Sequence, residues 1–290
     1  YGAALSNATT FQKFVMNVIL IGGTMFVTWM GETITEKGLG NGTSLLIFMG
    51  IIASFPRTIS RWQDQVHYGL VGYLPIIIMV ILIILIVISV VLISEGERKI
   101  PIQYAKRVVG RKMYGGQSTH IPVKVNMGGV MPIVFASAVL AIPSTISLFF
   151  GNGGQSGITN FFQNTTGGFI VYLIIQSALI LIFAYFYNQI QFNTVEYAKQ
   201  LQQNGGFIPG IRPGKPTSEY LAKVATRITF IGSIALALLT IIPAIASKLL
   251  GLSLSFGGSS VIIVVGVIIE TIKQLEAMMT MKQYKGFLNR

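Results

Sequence analysis

Apolar residues gather in seven stretches along the chain, at 14–34, 43–59, 70–94, 128–150, 168–192, 228–247 and 259–279. Most of them approach or exceed the ~20 residues needed to cross the hydrocarbon of a bilayer. The clearest, LPIIIMVILIILIVISVVLI at 74–93, holds no charge, and the weakest, 43–59, stops near Phe55-Pro56. Lipid leaves no backbone polar group paired with water, so the pattern predicts helices. In 128–150, Pro132 and Pro143 flank the small residues Ala136, Ser137 and Ala138. Each proline removes a backbone donor and is expected to kink its helix, and the small residues favour close helix approach.

The polar intervals carry turn and strand signals. Gly38, Gly40, Asn41 and Gly42 predict a tight turn, with positive φ at Asn41-Gly42 and Thr43 or Ser44 capping the next helix. That glycine-rich stretch lacks the lysine and flanking strand of a phosphate-binding loop. Residues 57–69 read as a short connection in which Trp62, with Tyr68 and Tyr73, forms an interfacial aromatic belt. The interval 151–167 is uncharged and turn-rich. The interval 95–127 is too long for a bare turn. Pro101 is expected to break it early, and 103–109 fits either a helical turn or a strand. THIPVKVN at 119–126 alternates like a strand, so a hairpin with its tip near Gly115-Gly116 is expected. In FIPGIRPGKPT at 207–217, three prolines stiffen a loop that presents Arg212.

Composition agrees with a membrane solvent. Of 290 residues 52% are hydrophobic and 10% charged, with mean hydropathy +0.68, where soluble domains carry about 25% charge. The absence of cysteine excludes disulfides and thiolate metal sites. The net charge of +12 is unevenly placed. If the seven spans alternate, one side collects 16 Lys and Arg and the other 4. The positive-inside rule then puts loops 95–127 and 193–227 and the C-terminus in the cytoplasm. It also puts the first residue outside, which, with no leader before the first span, implies an odd number of preceding spans.

Residues 98–116, RKIPIQYAKRVVGRKMYGG, hold six of the 21 basic residues and no acid. Arg98 and Lys99 stand near the span end, within reach of anionic headgroups. Lys106, Arg107, Arg111 and Lys112 are carried beyond a Debye length of ~8 Å, where a polyanion or an acidic protein face suits them better than a headgroup. Arg212 fits either partner recognition or a solvated rigid connector.

Catalytic chemistry is not in evidence. The histidines His67 and His120 fall on opposite sides, and neither a zinc-protease HExxH nor a nucleotide-binding lysine motif occurs. No cofactor or metal is expected. Glu270 and Lys273, three residues apart, are expected to form a local ion pair in the last span. They are the main support for the alternative of a secondary transporter of a small solute.

Five segments then carry a resemblance: MGETITEKGLGNGTSLLIF, EGERKIPIQYAKR, QSTHIPVKVNMGGVMPIVFAS, GGFIPGIRPGKPT and GGSSVIIVVGVIIETIKQLE. In this order they resemble the bacterial SecY family, from about residue 14 to the C-terminus, and match its fourth to tenth membrane helices. The resemblance implies an all-α polytopic helix bundle, part of a pseudo-symmetric channel of two five-helix halves. Residues 1–66 would close the first half and 67–290 form the second, with a hinge near 57–69. The plug and the other gate helix of the family would precede Tyr1. A passive pore for unfolded polypeptides and lateral insertion of membrane segments in the bacterial plasma membrane is implied, driven from outside the chain.

By the same resemblance Ile47, Val134 and Ile263 are pore-ring positions, Val134 standing where the family more often has isoleucine. Helix 128–150, with Pro132, Ser137, Ala138 and Ile142, would be one side of a lateral gate. Lys106, Arg107, Arg111, Lys112 and Arg212 would dock the SecA motor ATPase or the ribosome, ribosomal RNA included. SecE-like and SecG-like small subunits, preprotein and signal peptide, and anionic lipids complete the implied partners.

Overall fold

A computed structural model describes residues 9–38, 40–104, 107–109, 112–114, 118–150, 165–252 and 258–288. Its helices are α1 (Thr10–Lys37), α2 (Gly42–His67), α3 (Tyr73–Glu95), α4 (Met131–Phe150), α5 (Thr166–Gln191), α6 (Thr194–Gln203), α7 (Lys215–Leu250) and α8 (Gly258–Leu288). Its strands are β1 (Glu97–Tyr104), β2 (Arg107–Val109), β3 (Lys112–Tyr114), β4 (Ser118–Lys124) and β5 (Gly206–Phe207). The seven long helices coincide with the seven apolar stretches, and the fold is a polytopic helical bundle. Five segments are long and apolar enough to cross a membrane: Phe14–Lys37, Gly42–His67, Tyr73–Glu95, Thr166–Gln203 and Lys215–Leu250. In α4 the apolar run Met131–Pro143 is shorter.

Several boundaries depart from the hydropathy pattern, each for a local reason. Helix α2 does not stop at Phe55-Pro56 but runs through Pro56 to His67. Around the proline, Ser54 donates its hydroxyl to the Ile51 carbonyl and Ser60 to the Pro56 carbonyl. The connection expected at 57–69 is therefore helical up to His67 and reduces to 68–72. Pro132 does not kink α4, because it occupies the first turn, where its missing N–H has no helical partner in any case; Pro143 is the one inside the helix. The turn before α2 uses Gly40, at φ 83°, for its left-handed step. The cap is Asn41, whose side chain accepts from the N–H groups of Thr43 and Ser44 at 3.1 and 3.3 Å. Helix α7 starts thirteen residues before its apolar part, and its 36 residues rise about 54 Å. Much of the expected loop 193–227 is thus helix α6 and the polar foot of α7.

The expected hairpin is present, but its chain reverses between Val109 and Lys112; Gly115-Gly116, where the sequence pattern places the tip, lie outside the described residues. Strands β1 and β4 pair antiparallel from Glu97↔Lys124 to Gln103↔Ser118, and β2 pairs with β3 farther out. Pro101 does not break β1. It sits opposite His120, and the far edge of the strand is open there because β5 reaches only Gln103 and Tyr104. A residue without a donor is tolerated on such an edge. Through β5 the two basic loops are sewn together at one end of the bundle. At the other end Trp62, Met79 and Leu252 form a small core, and the Lys248 ammonium lies 4.2 Å from the centre of the Phe169 ring.

Helices gain little by hiding apolar side chains from lipid, so close backbone approach and packing hold them. Gly232 of α7 abuts the Val125 carbonyl: a Cβ there would stand 2.5 Å from that oxygen. Gly50 in α2 has nothing within 4 Å of the same atom. Overpacking of this kind costs about 1–3 kcal/mol. G232A is expected to lower the melting temperature of the detergent-solubilised protein by several degrees, and G50A to leave it unchanged or slightly raised. Equal melting temperatures for the two variants would show that the α7 contact does not hold the bundle.

Candidate functional site

Helices α2, α4 and α8 converge on a cavity of about 270 Å³. Ile47 of α2, Val134 of α4 and Ile263 of α8 all line it, joined by Val130, Phe135 and Val267. Ile263 is buried, and Ile47 and Val134 are half-buried. Each helix is fixed by a different device. The N–H of Gly42 donates to the Thr35 hydroxyl, which itself donates to the Gly31 carbonyl, both at 2.9 Å. A Cβ on Gly42 would collide with that same Gly31 carbonyl, so α2 is stitched against α1 at its first turn. In α4 the Val130 carbonyl accepts from the N–H groups of Ile133 and Val134, at 3.1 and 3.2 Å. The Phe135 ring rests 5.7 Å from each of Phe183 and Tyr187 on α5. In α8 Gly258 passes so near α7 that a Cβ would lie 2.5 Å from Pro243 and 2.7 Å from the Thr240 carbonyl oxygen.

Toward the basic loops a second cavity, of about 260 Å³, adjoins the first. Lys124, Asn126, Gln191, Glu270 and Lys273 give it a polar wall. The two cavities have Asn41, Val130 and Met131 in common. Lys273 does not pair with Glu270 as its spacing predicts; its ammonium meets the Glu95 carboxylate at 2.8 Å. Glu95 is the last residue of α3, where the carbonyl end of the helix disfavours an anion. A cation reaching across from α8 answers that cost better than one on its own helix. The pair sits at the end of the bundle that carries the basic hairpin, with both side chains more than a third exposed. Among the described residues no group of three or more His, Asp or Glu could hold a metal ion.

On α4, Pro132 is buried and Ser137 half-buried, with a Ser137 hydroxyl oxygen that is buried and has no hydrogen-bond partner. Ala138 and Ile142 lie instead on an exposed stripe with Phe135 and Val139. Pro132 and Ser137 thus face the bundle, and Ala138 and Ile142 face out of it. Arg212 is exposed on the loop between β5 and α7, its carbonyl accepting from the Thr217 hydroxyl at 2.8 Å. Arg107 and Lys112 are placed as backbone positions of β2 and β3; Lys106 and Arg111 lie outside the described residues. Arg98 and Lys99 are exposed, and Lys99 meets Glu97 at 3.4 Å on the same strand.

Sequence reasoning missed Val130, Val267, Asn126 and Gln191 as lining residues. A one-turn offset from Val134 and Ile263 would have found the first two.

The SecY family model matches residues 1–272. The protein translocase subunit SecY of Aquifex aeolicus is 42% identical over 271 residues, covering 93% of this chain and 62% of that protein. That of Thermotoga maritima is 41% identical, covering 93% of this chain and 61% of that protein. The chain therefore spans a little over three-fifths of the length of these relatives. A solved structure of a protein-conducting channel superposes with a TM-score of 0.69 at 18% identity, covering 93% of this chain and 67% of that one. Motif order, bundle and relatives agree: the chain belongs to the SecY family.

Proposed function

We propose that this chain is the channel subunit through which unfolded polypeptides cross, and membrane segments enter, the bacterial plasma membrane. The observation that carries this reading is the meeting of Ile47, Val134 and Ile263, from three separate helices, around one cavity. Aliphatic side chains at a constriction make no specific bonds. They close around any passing chain and disfavour a continuous column of water. The polar cavity beside it is the entrance, and the basic end faces the cytoplasm. The exposed stripe of Ala138 and Ile142 is the flank along which an apolar segment leaves for lipid or a signal peptide lodges, with Pro132 and Ser137 seating the gate helix.

The reading assigns no catalytic step to the chain, so the driving energy comes from a docked partner. Arg212, with Lys106, Arg107, Arg111 and Lys112 on the neighbouring hairpin, receives the SecA motor ATPase or the ribosome. The pairing of β1 with β5 supports a single docking face, since it ties the two loops together. SecE-like and SecG-like subunits brace the bundle, and anionic lipids meet Arg98 and Lys99. A solute transporter would call for ionisable groups at mid-membrane, whereas Lys273 is engaged with Glu95 at the last residue of α3, where the basic hairpin begins.

Two experiments test this reading on the natural complete subunit. These 290 residues hold no cysteine, so with any cysteine elsewhere in the subunit replaced by serine a single introduced thiol reports alone. Val134→Cys and Ile263→Cys are expected to form disulfides with a cysteine in an arrested translocating polypeptide, and Ile133→Cys, fully buried in the packed core, is not. Equal yields at all three positions, or none at 134 and 263, would overturn the pore assignment. Reversing Arg212 to glutamate, and separately Lys106 and Arg107, is expected to weaken motor binding on the order of tenfold, since ~1.4 kcal/mol is a factor of ten. Transport into proteoliposomes should fall with it. Unchanged binding and transport in every variant would remove these residues from the docking face.

A further inference from the structure

We propose that the seal has a second layer, one helical turn toward the basic end, formed by Val130 locked into a notch at Gly266 and by Val267. This rests on the channel reading above and adds residues to it. Val130 precedes Val134 by four residues and its carbonyl accepts from the Val134 N–H. Val267 follows Ile263 by four on α8, which runs in the opposite sense. Both offsets therefore move the same way along the bundle, by about 6 Å. Both residues line the apolar cavity with Val134 and Ile263.

Val130 is also where the two cavities meet. Of the three residues they share, Asn41 and Met131 are half-buried, while Val130 is only 4% exposed. On one side of it stand Val134 and Ile263; on the other stand Lys124, Glu270 and Lys273. The boundary between the two cavities runs past Asn41, Val130 and Met131, and Val130 is the one of the three that is packed away. Gly266 explains how the side chain is held: a Cβ on Gly266 would overlap the volume that Val130 Cγ1 fills. The missing side chain at 266 is the socket, and a valine methyl fills it. The adjoining turn adds little freedom, since the Val130 carbonyl is already committed to two N–H groups of α4. An aliphatic septum of this kind keeps water in the cavity at Lys124 and Lys273 from entering the one at Val134 and Ile263.

The steric match gives a specific test. Resting ion leak is measured in proteoliposomes holding the natural complete subunit with its partner subunits and no substrate. V130A empties the socket and is expected to raise the leak severalfold. Adding G266A puts a methyl into part of the vacated volume, so the V130A/G266A pair is expected to lower the leak well below that of V130A. I133A removes a fully buried neighbour on α4 that lines neither cavity. It is expected to lower the melting temperature without raising the leak. A leak from I133A equal to that from V130A, or no rescue by G266A, overturns the second layer. If V134A leaks and V130A does not, the second layer falls and the channel reading stands. If neither leaks, the channel reading fails and the second layer with it.

Discussion

Close approach of backbones is the constraint from which the rest of this bundle follows. In hydrocarbon an exposed isoleucine costs nothing, and α1 and α3 accordingly display apolar side chains along much of their length. What distinguishes one arrangement of helices from another is contact at short range. Gly42 against the Gly31 carbonyl, Gly232 against the Val125 carbonyl, Gly258 against Pro243 and Gly266 against Val130 are contacts of this kind. Each joins a helix that lines the central cavity, or the strand that leads into one, to its neighbour. A methyl at any of these glycines forces a neighbour to shift.

These contacts also organise the basic end. The hairpin leaves α3 at Glu95, which is tied to α8 through Lys273. It returns through Val125, whose N–H donates to the Gly96 carbonyl at 2.8 Å and whose own carbonyl faces Gly232. From there the chain turns at 127–130 directly into α4. The root of the hairpin is therefore bound to α8 on one strand, to α7 on the other, and continues into the helix that carries Val134. In the proposed function, a partner gripping the hairpin acts on a part of the chain that is continuous with the constriction.

Much of this was legible in the sequence, because membrane spans are written in long apolar runs and strands in alternation. The seven long helices and the β4 strand at 118–124 follow from those patterns. The ends of helices were less legible. Hydropathy marks where lipid begins and not where the helix does, so the polar foot of α7 and the last turns of α2 read as loops. Pro101 and Pro132 misled because proline is disruptive only where its donor is needed, and neither an open strand edge nor a first helical turn needs it. Lys273 misled because spacing along one helix says nothing about an acid waiting at the end of another. The cavity itself was hidden for a related reason. Ile47, Val134 and Ile263 are ordinary aliphatics in three distant segments, and only the family resemblance singled them out. Gly266 gives no sign in the sequence of the methyl that fills its place.

The central claim is that wet and dry space meet along α8 between its charged turn and its aliphatic turns. Its most direct test is thiol reactivity at single cysteines placed at Lys273, Glu270, Val267 and Ile263, probed from the basic side with a membrane-impermeant reagent in the complete subunit without substrate. No other thiol lies within these 290 residues, and any cysteine elsewhere in the subunit is replaced by serine. Rapid labelling at 273 and 270 with a steep fall at 267 and 263 is the expected result. Reactivity that stays level from 273 to 263 would mean that water passes Val130 freely, and would contradict the account.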